Sequence, residues 1–199
     1  GDVNSTSTAT GWWYYNSGTT NYASLPAAAQ GNGLMRVERR AGDTLVQTVH
    51  LMNLSGGVWV RGYAASTWGP WRMLYTQATA LGTVSQSGGV PTGAIIETGS
   101  GANGSYTRLA DGTQFCAISI NETDTAWSTA SGSIYVRASV LAWTYPAAFS
   151  ASPVMSATVR RATLSGGGAN INSISTTGCD CTPWAAVSMA ASNSKFVHL

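Results

Sequence analysis

Leu45-Val46-Gln47-Thr48-Val49-His50-Leu51 is the stretch that decides the fold, because it is rich in β-branched residues and bounded by turn signals at Gly42-Asp43 and Ser55-Gly56-Gly57. Such a segment is too short and too β-branched for a helix, and it reads as a strand. Outward from it the same grammar repeats. Leu34-Met35-Arg36-Val37-Glu38 precedes it with loose alternation, and Val58-Trp59-Val60-Arg61-Gly62-Tyr63 follows it. Ser66-Thr67-Trp68-Gly69-Pro70-Trp71-Arg72-Met73-Leu74 then turns on Gly-Pro and ends in another short strand. Together these segments predict a meander of short antiparallel strands. The one helix expected nearby is Ala23 to Gln30, with Pro26 in its first turn and Gly31 as its stop.

From Thr76 to Gly93 the apolar periodicity disappears, and Ser87-Gly88-Gly89-Val90-Pro91 reads as a flexible connector. Beyond it Ala94-Ile95-Ile96-Glu97 opens a second β-rich half. Strands are expected at Tyr106–Ala110, Thr113–Ile120, Ser133–Trp143, Val154–Arg161, Ile171–Ser175, Trp184–Ala190 and Phe196–Leu199. Turns at Asp111-Gly112, Ser131-Gly132 and Gly166-Gly167-Gly168 give them the spacing of a sandwich. The expectation is an all-β chain: a small antiparallel domain over 1–79, a linker over 80–93, and a β-sandwich over 94–199.

Composition narrows the function. Of 199 residues 44% are apolar but only 9% are charged, against roughly 25% charged in ordinary soluble domains. Eight Trp and eight Tyr exclude a disordered tail. No apolar run of about 18 residues predicts a membrane span, so membrane insertion is not expected. A net charge of +2 from nine Arg, Lys195 and eight acids forms no basic stripe, which argues against nucleic acid as a partner. Gly1 stands where Met would begin a nascent chain, so a processed chain or a piece of a longer one is expected, and no signal peptide is read near it. Three cysteines, Cys116, Cys179 and Cys181, fit reduced thiols in a protein made in the cytoplasm better than a disulfide framework.

Chemistry has few carriers. A Ser-His-Asp arrangement would have to use His50, inside a strand pattern, or His198 at the chain end. No Gly-x-Ser-x-Gly elbow occurs. Glycan hydrolysis needs two facing carboxylates, and the acids closest in sequence, Glu122 and Asp124, lie in what reads as a loop. Cys179-Asp180-Cys181 is half a tetrahedral metal site without a partner pair. Neither a cofactor nor a metal is expected, and catalysis is not. Aromatics carry the strongest signal, because flat rings bind the C–H faces of sugars while Asn, Asp and Arg take the hydroxyls. Candidate ligand contacts are Trp127 beside Asn121, Glu122 and Asp124, Trp184 after the Cys-x-Cys stretch, and Arg160-Arg161, which would meet an anionic sugar or phosphate.

Gly11-Trp12-Trp13-Tyr14, Thr19-Thr20-Asn21-Tyr22, Leu25-Pro26, Gly33-Leu34-Met35-Arg36-Val37, Val58-Trp59-Val60-Arg61 and Thr67-Trp68-Gly69-Pro70-Trp71-Arg72 follow one pattern. Over residues 11–75 this pattern resembles the pyocin-type tail-fibre knob. Gly93-Ala94-Ile95-Ile96-Glu97, Ala102-Asn103-Gly104, Ala110-Asp111-Gly112-Thr113-Gln114-Phe115-Cys116 and Trp143-Thr144-Tyr145-Pro146-Ala147-Ala148-Phe149 are similar to the start of the C-terminal tip domain of bacteriophage tail fibres. The resemblance implies a homotrimer, intertwined or packed, at the tip of a virion's tail fibre below a fibre shaft. It implies attachment of a phage or phage-like tail to a bacterial surface polysaccharide or outer-membrane protein. The competing expectations are a glycan depolymerase using Glu122 and Asp124, and a purely structural trimerising cap.

Overall fold

Alternation in the sequence becomes alternation in burial. Leu45, Gln47, Val49 and Leu51 turn inward while Val46 is exposed and Thr48 and His50 are half-buried. The computed structural model describes residues 1–40, 44–52, 57–161, 166–193 and 195–199. The turns expected at Gly42-Asp43 and Ser55-Gly56 lie outside those residues. The chain divides into two compact units, Gly1–Ile96 and Glu97–Leu199.

The first unit is built on β1 (Gly11–Tyr15), β2 (Gly33–Arg39), β3 (Leu45–Leu51), β4 (Val58–Ala64), β5 (Thr67–Trp68) and β6 (Arg72–Leu74). They form one sheet in the order β1-β2-β3-β4-β5, with β6 also paired to β4. Every ladder in it is antiparallel, as the meander reading expects. The inner face carries Tyr15, Met35, Val37, Leu45, Val49 and Trp59 over Val3, Leu25 and Ala29. Each such side chain contributes about 1.5–3 kcal/mol by leaving water. Gly33 is required by packing: a Cβ there would lie 2.3 Å from the Tyr15 hydroxyl and 2.5 Å from the His50 carbonyl oxygen.

The helix expected over Ala23–Gln30 is instead two 3₁₀ turns, Tyr22–Ser24 and Ala27–Ala29. Leu25 between them is extended (φ −70°, ψ 150°). The ring of Pro26 disfavours a helical residue before it, and the break lets Leu25 and Ala29 both reach the core. Where the sequence reading placed a linker, residues 80–93 carry the end of α1 (Gln77–Ala80) and a hairpin of β7 (Gln86–Ser87) and β8 (Val90–Pro91). Backbone bonds from Gly82 to Ile96, Thr92 to Ser85 and Ala94 to Thr83 fold this stretch on itself, and the Tyr75 hydroxyl donates to the Gly93 carbonyl at 3.1 Å.

The second unit holds β9 (Ile96–Gly101), β10 (Gly104–Leu109), β11 (Gln114–Ala117), β12 (Ser119–Asn121), β13 (Thr129–Ser131), β14 (Ile134–Val136), β15 (Leu141–Thr144), β16 (Thr158–Arg161), β17 (Gly167–Ile174), β18 (Gly178–Ala185) and β19 (Lys195–His198). They fall into a β11-β10-β9 sheet, a β12-β19-β16 sheet, and a five-stranded sheet of β13-β14-β18-β15 with β17 on β18. The β12-β19-β16 sheet packs on the five-stranded one: Ile120, Val159 and Val197 meet Leu141, Cys181 and Ala185 around Trp127 and Met189. That is the sandwich core the strand spacing calls for.

Several strand limits differ from expectation. Ser133–Trp143 is interrupted because the Arg137 guanidinium gathers the carbonyls of Ser139 and Val140 at 2.7 and 2.6 Å, closing a turn between β14 and β15. Thr113–Ile120 breaks at Ile118 and feeds two different sheets. Trp184–Ala190 gives way to Gly178–Ala185, so the Cys-x-Cys stretch lies within the central strand β18. Gly167 and Gly168, expected in a turn, open β17 beside β18, and a Cβ on Gly167 would come within 2.7 Å of the Trp184 carbonyl.

Candidate functional site

On the outer face of the first unit's sheet the register defines two rows. One runs Trp12, Arg36, Thr48, Val60, Arg72 across successive strands, and the other runs Tyr14, Leu34, His50, Val58, Leu74. Trp12 and Tyr14 are each 57% exposed, although large aromatics on a sheet face are ordinarily covered. His50 lies 5.4 Å from Trp12 between ring centroids, and the Arg36 guanidinium sits 5.8 Å from the same ring while pairing with Glu38 at 2.7 Å. Flat rings bordered by a guanidinium, a carboxylate, an imidazole and the Thr48 hydroxyl are the chemistry that grips a sugar face and its hydroxyls. Sequence reasoning passed over this pair because Trp12 and Tyr14 sit in a strand whose burial no local pattern reveals.

Beneath that face the sheet is held by a buried arginine. Arg61 donates from Nε to Gln47 Oε1 and from Nη2 to the Val3 carbonyl and Asn4 Oδ1, each at 2.9 Å. Burial pulls its pKa down to about 10, and Asp2 partly offsets the shift. The same unit contains a cleft of about 850 Å³, walled by Trp59, Trp71, Tyr75 and residues of the 83–94 stretch. The Trp71 Nε1 is buried with no hydrogen-bond partner.

In the second unit the residues expected to contact ligand fall in different places. Trp127 is fully buried at 0% exposure and forms the heart of the sandwich core, so its ring face is closed to any ligand. An antiparallel bridge joins Trp127 to Met189, and both side chains lie in that core. Glu122 is also buried, and its Oε2 accepts from Arg137 Nε at 2.8 Å. Asp124 is exposed, its Oδ1 accepting from the Thr123 hydroxyl. Of the two acids, one is thus buried in an ion pair and the other turned to solvent. Trp184 is half-buried on the outward side of β18, together with Asp180 and Thr182. Arg160 and Arg161, adjacent in sequence, part across the sheet: Arg160 is exposed, whereas Arg161 reaches Met189 Sδ at 3.6 Å.

Asn121 and Arg160, however, are brought together. Asn121 registers with Phe196, and Phe196 with Arg160, across β12, β19 and β16. The next row of the same face is Ser119, His198, Thr158. The Arg160 guanidinium lies 4.6 Å from the Phe196 centroid, and His198 stacks on Phe196 at 6.5 Å and 16°. Phe196 has no signal as a site residue in the sequence and His198 stands there only as a possible triad imidazole, since only the sheet order places their strand between β12 and β16.

Two of the three thiols are buried. All three cysteines are free, and Cys179 and Cys181 point into the core from β18. Burial raises the Cys179 thiol and pushes Cys181 up to about 11, which keeps both protonated at neutral pH. Among the described residues no group of three His, Cys, Asp or Glu side chains is arranged to hold a metal ion. No helix of the described residues is long and apolar enough to cross a membrane.

No protein-family model and no curated protein matches this chain. Among solved structures, a C-terminal portion of the P. aeruginosa R1 pyocin fibre is 19% identical over 96% of this chain and 62% of that one, with a TM-score of 0.32. The corresponding portion of the R2 pyocin fibre is 13% identical over 96% and 61%, with a TM-score of 0.29. The chain therefore spans about three fifths of the length of those fibre portions.

Proposed function

We propose that this chain is the receptor-binding end of a phage-type tail fibre. In this reading it works as a homotrimer that attaches a virion or phage-like tail to a bacterial surface polysaccharide or outer-membrane protein, without chemistry. The sequence motifs that resemble fibre knobs and tips support this reading. The observation that carries it is the exposed Trp12 and Tyr14 pair on an open sheet face beside Arg36, Glu38 and His50. A rigid pleated surface with its rings already displayed loses little conformational entropy when it binds. The commitment of Glu122 to Arg137 favours attachment over glycan cleavage, because that carboxylate is already ion-paired.

The test is binding of host cells and purified lipopolysaccharide by the full chain and by Trp12→Ala/Tyr14→Ala. Loss of one stacked ring should weaken binding by about 1–3 kcal/mol. Equal binding by the double variant would remove this face from the reading. Sedimentation of the full chain reports its oligomeric state, and a monomer at high concentration would count against the fibre.

A further inference from the structure

We propose that the outer face of the β12-β19-β16 sheet recognises an oxyanion carried by a saccharide, with Arg160 as the residue that contacts it. This inference names a ligand class for the attachment reading and rests on it. The argument starts from strand register. Two rows, Asn121–Phe196–Arg160 and Ser119–His198–Thr158, place side chains on one face. Arg160, Asn121, Ser119 and Thr158 are exposed, and Phe196 and His198 are half-buried.

Every polar group in those rows can donate a hydrogen bond, and neither row contains a carboxylate. The nearest acid in sequence, Glu122, is buried and already paired with Arg137 at 2.8 Å. Arg160 differs from Arg36, Arg108 and Arg137, each of which has a carboxylate within 4 Å. Its guanidinium lies 4.6 Å from the Phe196 ring, and His198 stacks on that same ring. A guanidinium laid on an aromatic face loses rotamer freedom before binding, and its planar fork remains available to a carboxylate or phosphate. The Asn121 amide and the Ser119 and Thr158 hydroxyls are suited to neighbouring sugar hydroxyls. A uronic acid and a sugar phosphate share the required chemistry: a ring with one oxyanion.

The experiment titrates the full chain with an oligogalacturonate, a hexose phosphate and a neutral oligosaccharide of matching length, following binding by calorimetry. Arg160→Gln, Arg160→Lys and Phe196→Leu are compared with the wild type, and near-UV circular dichroism checks folding. The wild type should prefer one or both anionic ligands to the neutral one. Arg160→Gln should weaken anionic binding by about tenfold or more, the scale of one charge-assisted contact, and weaken neutral binding far less. Arg160→Lys, which keeps the charge but loses the fork, should recover part of it. The uronate and phosphate arms decide which oxyanion is preferred. Absence of any preference for anions, or Arg160→Gln binding them as the wild type does, overturns the inference. If the chain still adheres to cells through Trp12 and Tyr14, only this inference fails. If it binds neither cells nor any glycan, the attachment reading fails with it.

Discussion

The guanidinium of Arg61 lies 3.9 Å from the centroid of the Trp68 ring. Trp71 takes the guanidinium at 4.3 Å, so one buried cation joins the turn around Gly69-Pro70 to the inner face of the sheet. Its hydrogen bonds to Gln47 and the Val3 carbonyl, together with the Trp68 Nε1 bond to the Asn4 carbonyl at 3.1 Å, fasten the N-terminal stretch to the same point. The Trp-x-x-Trp-Arg stretch of the sequence is therefore partly a structural clamp.

Removing that cation should unfold the first unit more readily. Arg61→Met leaves Gln47 Oε1 without its donor and is expected to lower stability by about 2–4 kcal/mol in chemical denaturation. Arg61→Lys keeps the charge but not the planar fork, so it should fall between the two. A methionine variant as stable as the wild type would show that the stack contributes nothing.

Trp127 and Trp12 should behave in opposite ways. Trp127 is completely buried, and its replacement by Ala is expected to destabilise the second unit by about 3–5 kcal/mol. Trp127→Phe should be milder, because the indole Nε1 has no hydrogen-bond partner to lose. Trp12→Ala, at an exposed position, should stay within about 0.5 kcal/mol of the wild type in folding while reducing adhesion. Thermal melts and a cell-binding assay on the same preparations separate the effects.

Gly33→Ala is expected to destabilise the first unit by about 1–3 kcal/mol. The added methyl would collide with the Tyr15 hydroxyl and the His50 carbonyl, displacing the Tyr15 bond to the Ala29 carbonyl at 3.2 Å. Pairing the change with Tyr15→Phe, which removes the hydroxyl, should recover part of the loss. A double variant no better than Gly33→Ala would place the strain at the backbone instead.

Alkaline pH should weaken the second unit. Burial raises the Cys181 thiol from its ordinary 9.0 to about 11, and burial with the neighbouring Cys179 raises the Tyr145 phenol from 10.0 to about 12. In the unfolded chain both groups release protons earlier, so between those values the folded state binds more protons and stability falls as pH rises. The stabilisation is whole below pH 9 and is lost through pH 11–12. Lys195 opposes this, since burial lowers its pKa and its contribution rises with pH in the alkaline range. Denaturation midpoints from pH 8 upward should fall first through the thiol, and Cys181→Ala should flatten that early part. A midpoint that rises over the same range would reverse the balance assigned to these groups.

Strands β2, β3 and β4 were legible because one face of each is covered, and burial on one face writes a period of two into the sequence. The β18 strand was not legible: Cys179, Cys181, Pro183 and Ala185 alternate inward with neither β-branched nor aromatic residues among them, so only its neighbours on both sides make it a strand. The Ala23–Gln30 segment had helical composition, but Pro26 and the demand of the core for both Leu25 and Ala29 broke it into two turns.

By itself the sequence determined an all-β chain of short antiparallel strands, poor in charge and rich in exposed-capable aromatics, because side-chain alternation and turn chemistry act within a few residues. The tertiary structure alone decided which aromatics reach solvent. It sank Trp127 into a sandwich, displayed Trp12 and Tyr14, and set Arg160 beside Phe196 and Asn121. Those outcomes depend on which sheet covers which face and on strand order, and both come from contacts between residues far apart in the chain.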